Sequence, residues 1–321
     1  MKVLVIGGSG HIGTYLIPKL IKAGHHVINM SRNQRKPYKV DPAWNDVEHI
    51  QADRVVLEAE GRFGQHVSSL RSDVIIDLIC FSAESAKQLA EAVEGQIQHL
   101  ISCGTVWVHG SSVQVPLSED QPRHPFGEYG IQKAQMEAYL LDKSRRDGFP
   151  ATVLHPGHIV GPGWVPLNPA GHFNPNVFVR LARGEEVALV NFGMETVHHV
   201  HAEDVAQCFL KAMNHWSDAV GESFHVVSPA AVTLRGYAEE VASWFGRAAN
   251  LRFLSWDEWK STVTMEEAGA TLDHISHSPS CSIAKAVRKL GYNPRYSSFQ
   301  AVRESVDWLI ENHVMDIGSK V

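Results

Sequence analysis

The stretch Lys2-Val3-Leu4-Val5-Ile6-Gly7-Gly8-Ser9-Gly10-His11-Ile12-Gly13 decides the fold. Five residues, four of them apolar, read as a buried strand, and the glycines that follow open an amphipathic helix over Ile12–Ala23 with Ile12, Leu16 and Leu20 on its apolar face. A pyrophosphate needs close backbone approach, free N–H groups and the positive end of a helix dipole. Gly7 permits the tight turn, Gly10 lets phosphates approach, and Gly13 lets helix and strand pack closely. Ser9, His11 and Ile12 complete the loop, so the stretch reads as a dinucleotide site.

Outward from this loop, short apolar runs alternate with helical ones. Strands are expected at Val27–Met30, Val47–Gln51, Val74–Leu78, His99–Cys103 and Ala151–Leu154, with helices at Val55–Arg62, Ser82–Val93 and Glu128–Arg146. This alternation implies an α/β fold: a doubly wound parallel sheet with helices on both faces. Ligands then bind where strands end. Pro156–Pro175 is too rich in proline and glycine for regular structure. A sheet-type pattern returns at His198–Met213 and Glu222–Val227, and from Thr233 the chain reads as helical with one short strand at Leu251–Leu254. The expected division is a dinucleotide-binding domain of 1–160 plus 195–228, and a smaller mixed substrate lobe of 161–194 plus 229–321.

Composition narrows the function. The 321 residues are 44% hydrophobic and 20% charged with a net charge of −6, an ordinary globular balance that disfavours wholesale nucleic-acid binding. Cys80, Cys103, Cys208 and Cys281 form no CxxC pair and read as free thiols of a reducing compartment. No signal peptide or membrane-spanning run is visible, and a cytoplasmic protein is expected.

The end of the second strand bears on the cofactor. An acid there would hold a ribose 2′-hydroxyl and repel a 2′-phosphate. The chain instead reads Asn29-Met30-Ser31-Arg32-Asn33, with Arg35 and Lys36 beyond. Arg32 can pair with a phosphate and Ser31 can add a hydrogen bond, so NADP is favoured over NAD. Asp53, after the third strand, either accepts from an adenine amino group or caps a helix. Further on, Tyr129-Gly-Ile-Gln-Lys133 places a phenol and an ammonium one helical turn apart. A neighbouring ammonium and a positive nicotinamide ring make Tyr129 a usable acid/base, and Lys133 can also hold the nicotinamide ribose. A third group for the substrate oxygen is expected within Ser102-Cys103-Gly104-Thr105.

Together these residues resemble the extended short-chain dehydrogenase/reductase superfamily, of the NAD(P)-dependent epimerase/dehydratase type, over nearly the whole chain. The resemblance implies a Rossmann fold with Tyr129 and Lys133 as the active-site pair. The family's Ser/Thr-x-x-Val-Tyr-Gly segment is matched by Thr105-Val-Trp-Val108-His109-Gly110, which implies Thr105 as the catalytic hydroxyl, with Ser102 the fallback and His109 replacing a tyrosine. His155-Pro156-Gly-His158-Ile-Val-Gly161-Pro162 resembles an Arg-Pro-Gly-Asn-x-x-Gly-Pro segment, implying a cofactor contact at Pro156 and a substrate-facing His158. Val200-His201-Ala-Glu-Asp204-Val205 and Ser282 through Pro294 resemble two further family segments.

Departures fall on the substrate side. His158 replaces an asparagine, and Val197 or His198 stands where members acting on nucleotide-linked sugars carry an arginine, which speaks against such a substrate. Val106 and Trp107 replace the acid pair of dehydratases. Ser228–Gly246 is similar to an atypical branch that includes chloroplast stem-loop RNA-binding proteins, and a non-catalytic NADPH-binding relative is the alternative reading. Trp107 and Trp164, beside cleft segments, are candidate substrate contacts. The pairs and triplets His155/His158, His198/His199/His201 and His274/His277 lack a typical metal spacing, and no metal is expected. The resemblance also implies a homodimer seamed by the helices at 82–93 and 128–146, with Met136, Tyr139 and Leu140 as its apolar positions, and a small-molecule substrate.

Overall fold

A computed structural model describes residues 1–318. Its strands are β1 (Lys2–Ile6), β2 (His26–Ser31), β3 (Glu48–Gln51), β4 (Val74–Asp77), β5 (His99–Cys103), β6 (Ala151–Pro156), β7 (His158–Val160), β8 (Val187–Val190), β9 (Thr196–Val197), β10 (His199–His201), β11 (Ser223–Val226), β12 (Val232–Thr233) and β13 (Leu251–Leu254). The α-helices are α1 (His11–Lys22), α2 (Arg54–Ala59), α3 (Phe63–Ser69), α4 (Ala83–Ala92), α5 (Gly127–Asp147), α6 (Asn176–Arg183), α7 (Ala202–Asn214), α8 (Trp216–Ala219), α9 (Leu234–Trp244), α10 (Trp256–Trp259), α11 (Met265–His277), α12 (Ala284–Leu290) and α13 (Ser298–Glu311).

Seven strands form one parallel sheet in the order β11-β6-β5-β4-β1-β2-β3. The order reverses between β1 and β4, which opens a crevice at their carboxyl ends, where ligands of such sheets bind. Strands buried on both faces read as continuous apolar runs, and Val3, Leu4, Val5 and Ile6 are all at most 1% exposed. One face packs α1 and α7, with Leu16, Leu20, Val205 and Phe209 in the same cluster. The other packs α4 and α5 through Leu89, Met136 and Leu140. A separate cluster around Phe178, Leu189, Tyr237, Trp259 and Val306 forms the core of the C-terminal elements, where β8 pairs parallel with β13.

Several expectations change here. Residues 202–214 form helix α7 rather than sheet, because Ala202, Val205, Ala206, Phe209 and Met213 recur at helical spacing. The helix expected at Val55–Arg62 is the shorter α2, which stops before Gly61 at φ +66°, and a further helix, α3, follows it. Within the proline-rich stretch, His158–Val160 pairs with His199–His201. Of the three apolar positions named on α5, Met136 and Leu140 lie in the chain's own core, and Tyr139 is partly buried against it. All four cysteines are free and buried. Among the described residues no helix is long and apolar enough to cross a membrane.

Candidate active site

The turn between β1 and α1 meets the geometric demands of a phosphate cradle. Gly7 sits at φ +83° and donates its N–H to the Met30 carbonyl at 2.9 Å. A side chain on Gly13 would place its Cβ 1.8 Å from the Gly8 carbonyl oxygen, whereas one on Gly10 would meet only the Gly7 oxygen at 3.5 Å. Gly13 therefore serves packing, and Gly10 faces open space. No side chain caps α1, so its first N–H groups remain available to an anion. A cavity of about 340 Å³ lies over this turn, lined by Gly7, Ser9, Gly10, Ser31, Arg32 and Phe81 among others. Cradle, open helix end and cavity fit a dinucleotide.

The other expected cofactor residues fall around the same cleft. The Ser9 hydroxyl donates to Ser31 Oγ at 2.6 Å, joining loop and strand end. Arg32 is exposed on the rim. Asp53 also lines the cavity, and its Oδ1 accepts from Val55 N–H at 3.0 Å, capping α2. Ile12 is in the core beneath the turn. His11 stacks on Trp164 at 5.1 Å between ring centroids and meets Tyr38 edge-on at 5.7 Å. Burial pushes the His11 pKa down to about 4, so this ring is neutral. Pro156 ends β6, paired with Val226.

Across the cleft, α5 carries the tyrosine–lysine pair. Lys133 is 1% exposed, and its Nζ donates to the carbonyls of Cys80 and Cys103, both at 2.7 Å. These carbonyls lie just past β4 and at the end of β5, so the ammonium ties the helix to the sheet edge that faces the ligand crevice. Tyr129 lies one turn earlier, its ring 5.9 Å from that of Trp107 and 6.5 Å from that of Phe81. Its hydroxyl lies beside that of Thr105. Burial raises the Tyr129 pKa to about 12, the Thr105 contact opposing, and burial lowers that of Lys133. Thr105 caps the short 3-10 helix Val106–His109, accepting from Trp107 N–H at 3.3 Å. Ser102 instead directs its hydroxyl to Met136 Sδ at 3.6 Å, into the core. Of the two expected hydroxyls, Thr105 is the one beside Tyr129.

The substrate side is walled by imidazoles and aromatic rings. His158 lies 4.5 Å from His274 and 6.3 Å from Trp107, centroid to centroid. Trp107 stacks on His277 at 4.0 Å, and His277 on Phe126 at 4.0 Å. His274 and His277 each use Nδ1 on a carbonyl one turn back in α11, at 2.5 and 2.6 Å. Burial, then neighbouring imidazoles, hold His158 well below its ordinary pKa. His274 and His277 join the wall beside Trp107. Val197 is buried, and His198 hydrogen-bonds Ser228 O and Cys281 N–H, so neither presents a cation to the cleft. His274, His277 and Phe126 had no sequence signal linking them to Trp107, because only the packing of α11 brings them together.

The strand order, the glycine turn at its switch point and the helix facing it define an extended short-chain dehydrogenase/reductase fold. The chain belongs to the NAD dependent epimerase/dehydratase family, whose model matches residues 3–226. It is 27% identical over 310 residues to the chloroplast stem-loop binding protein of 41 kDa b of Arabidopsis thaliana, covering 95% of this chain and 78% of that protein. A UDP-glucose 4-epimerase of Lactobacillus helveticus is 24% identical over 247 residues, covering 67% of this chain and 72% of the enzyme. Among solved structures, the UDP-glucose 4-epimerase of Thermotoga maritima superposes with a TM-score of 0.74 at 21% identity, covering 98% of this chain and 100% of that one.

Proposed function

We propose that this chain is an oxidoreductase or epimerase that moves hydride to or from an alcohol or carbonyl carbon of a small polar, sugar-like substrate. The observation that carries the reading is Tyr129 beside Thr105, one turn from an ammonium fixed at the ends of β4 and β5. Thr105 and Tyr129 together bind the substrate oxygen. A tyrosine with a pKa near 12 is protonated at neutral pH, so in the reducing direction it donates its proton to that oxygen. In the oxidising direction Tyr129 takes the proton back, which requires positive charge nearby to stabilise its phenolate. A nicotinamide dinucleotide, when bound, would supply the hydride and, when oxidised, that positive charge. The Gly7–Gly13 turn would hold its pyrophosphate, Lys133 its nicotinamide ribose, and Pro156 would border the cofactor side of the cleft. Trp107, His158 and His274 line the substrate side with neutral rings, which suits a ligand read by hydrogen bonds and stacking rather than by ion pairs.

Within a family described as NAD dependent, this chain is proposed to prefer NADP, through Arg32 and Ser31 at the end of β2. Parallel titrations with NADPH and NADH, on wild type and Arg32→Ala, test this. A charge-assisted pair contributes roughly 1.5–3 kcal/mol, so NADPH is expected to bind about tenfold or more tightly, and the variant to lose that margin. Equal binding of the two in the wild type would overturn the preference. Similarity to the stem-loop binding protein favours a second reading, RNA association. Affinity for a stem-loop RNA that falls steeply with salt supports it, and the absence of binding at low salt removes it.

A further inference from the structure

Beneath the segment that carries Thr105 and Trp107, three histidines from three elements converge. His155 on β6 and His225 on β11 are register partners across adjacent strands, and His109 ends the short helix Val106–His109. One ring nitrogen of each lies within 4.8 Å of those of the other two, and His109 Nε2 is 2.8 Å from His225 Nε2. All three residues are at most 3% exposed. Glu137, on α5 one turn beyond Lys133, brings Oε2 to 2.9 Å from His155 Nε2, while its other oxygen accepts from Arg123.

Hydrogen bonds on the far sides of the rings set their direction. His225 Nδ1 faces the Ser282 carbonyl at 3.3 Å. A carbonyl only accepts, so Nδ1 carries the proton and Nε2 turns a lone pair into the cluster. His109 Nδ1 lies 3.4 Å from Arg123 Nη1. Neither nitrogen of His155 has a hydrogen bond of acceptable alignment, and Glu137 Oε2 lacks one too. Such orphaned buried groups are costly, and pairing the other two histidines with each other leaves them orphaned. A cation shared by three imidazoles, with a carboxylate behind one of them, answers all of these groups. His109 and His155 also stand at two positions where the resembled family carries tyrosine and arginine, so two separate departures meet at one point.

We propose that His109, His155 and His225 bind a zinc-type divalent cation, with Glu137 orienting His155. Imidazole nitrogen is a preferred zinc ligand. Tetrahedral ligands at about 2.05 Å lie roughly 3.3 Å apart, so His109 and His225 need part by only about 0.5 Å. A cavity of about 910 Å³, lined by Glu119, Arg123 and Glu137, lies on the far side of Glu137 and Arg123 from the buried histidines. The ion ties β6 and β11 to the short helix that Thr105 caps, and so fixes that hydroxyl from below. It is a structural ion and takes no part in hydride transfer.

The test uses tag-free, chelator-stripped full-length protein equilibrated with Zn²⁺, desalted, and analysed for metal by mass spectrometry. About one zinc per chain is expected in the wild type and in His274→Asn/His277→Asn, and none in His225→Gln. Glu137→Gln is expected to bind Zn²⁺ about tenfold more weakly. A wild type that retains no zinc, a folded His225→Gln that retains it fully, or its loss in the His274/His277 variant would each overturn the proposal. Should His225→Gln not fold, cobalt(II) loaded into wild type decides. The intense visible absorption of a tetrahedral site supports the proposal, and the pale spectrum of an octahedral aquo ion sinks it.

Discussion

Lys133 is nearly sealed from water, yet two of its three N–H groups meet carbonyl oxygens at 2.7 Å. From the sequence alone it appears as the partner of Tyr129, and its anchoring role is invisible there. The carbonyls it holds belong to Cys80 and Cys103, far away in the chain. The ammonium lies 4.6 Å over the Phe81 ring and 5.9 Å from that of Tyr129, whose pKa desolvation raises to about 12. Replacing Lys133 by methionine keeps the stem and orphans two buried carbonyls, each at about 1–3 kcal/mol. Lys133→Met should therefore lower unfolding free energy in urea by about 2–6 kcal/mol. A change below about 0.5 kcal/mol would show that water replaces the ammonium. Tyr129, Lys133 and the glycines were legible because their chemistry is local. His109 and His225 were not, since a histidine carries no mark of which strand will lie beside it.

At the scale of elements, the β1–α1 turn is the strictest fit in the molecule. A Cβ on Gly13 would sit 1.8 Å from the Gly8 carbonyl oxygen, and a backbone atom cannot turn aside as a side chain can. Gly13→Ala must push α1 away from β1, whose residues share a core cluster with Ile12 and Leu16. A loss of about 3 kcal/mol or more is expected, together with loss of dinucleotide binding. Unchanged stability in urea with intact NADPH binding would refute that account. The same local logic made most of the sheet readable. The runs read as strands at His99–Cys103 and Leu251–Leu254 have the same bounds in the structure. What failed was pairing at a distance: β8 draws its order from β13, more than sixty residues later, and lies in a stretch whose proline-rich opening suggested irregular chain. Segment 202–214 was misread because a three-residue strand, β10, runs directly into a helix with no breaker between them.

For the whole molecule, the buried histidines set a limit on acid stability. Burial, the leading cause in each case, lowers His11, His99, His198 and His274 to about 4, and His199 and His201 to about 3. Their folded values lie below the unfolded value of about 6.5, so below that pH the unfolded chain binds more protons. Stability is then fully present above about pH 6.5 and declines as pH falls toward the folded values. Each group costs about 1.4 kcal/mol one pH unit below 6.5. For the six together this is about 8 kcal/mol at pH 5.5, comparable with the 5–15 kcal/mol that holds a typical domain together. Depressed carboxylates such as Glu137 add their own loss only lower, as pH falls below about 4.3. Far-ultraviolet circular dichroism against pH should therefore show unfolding between about pH 5 and 6, ahead of the carboxylate range. Replacing His99, whose Nε2 lies 2.8 Å from Thr152 Oγ1, by glutamine keeps a polar partner and removes one titrating group. The midpoint of His99→Gln should accordingly move to lower pH. A wild-type chain that stayed folded to pH 4 would mean that these imidazoles reach water without global unfolding, and that burial does not govern its acid limit.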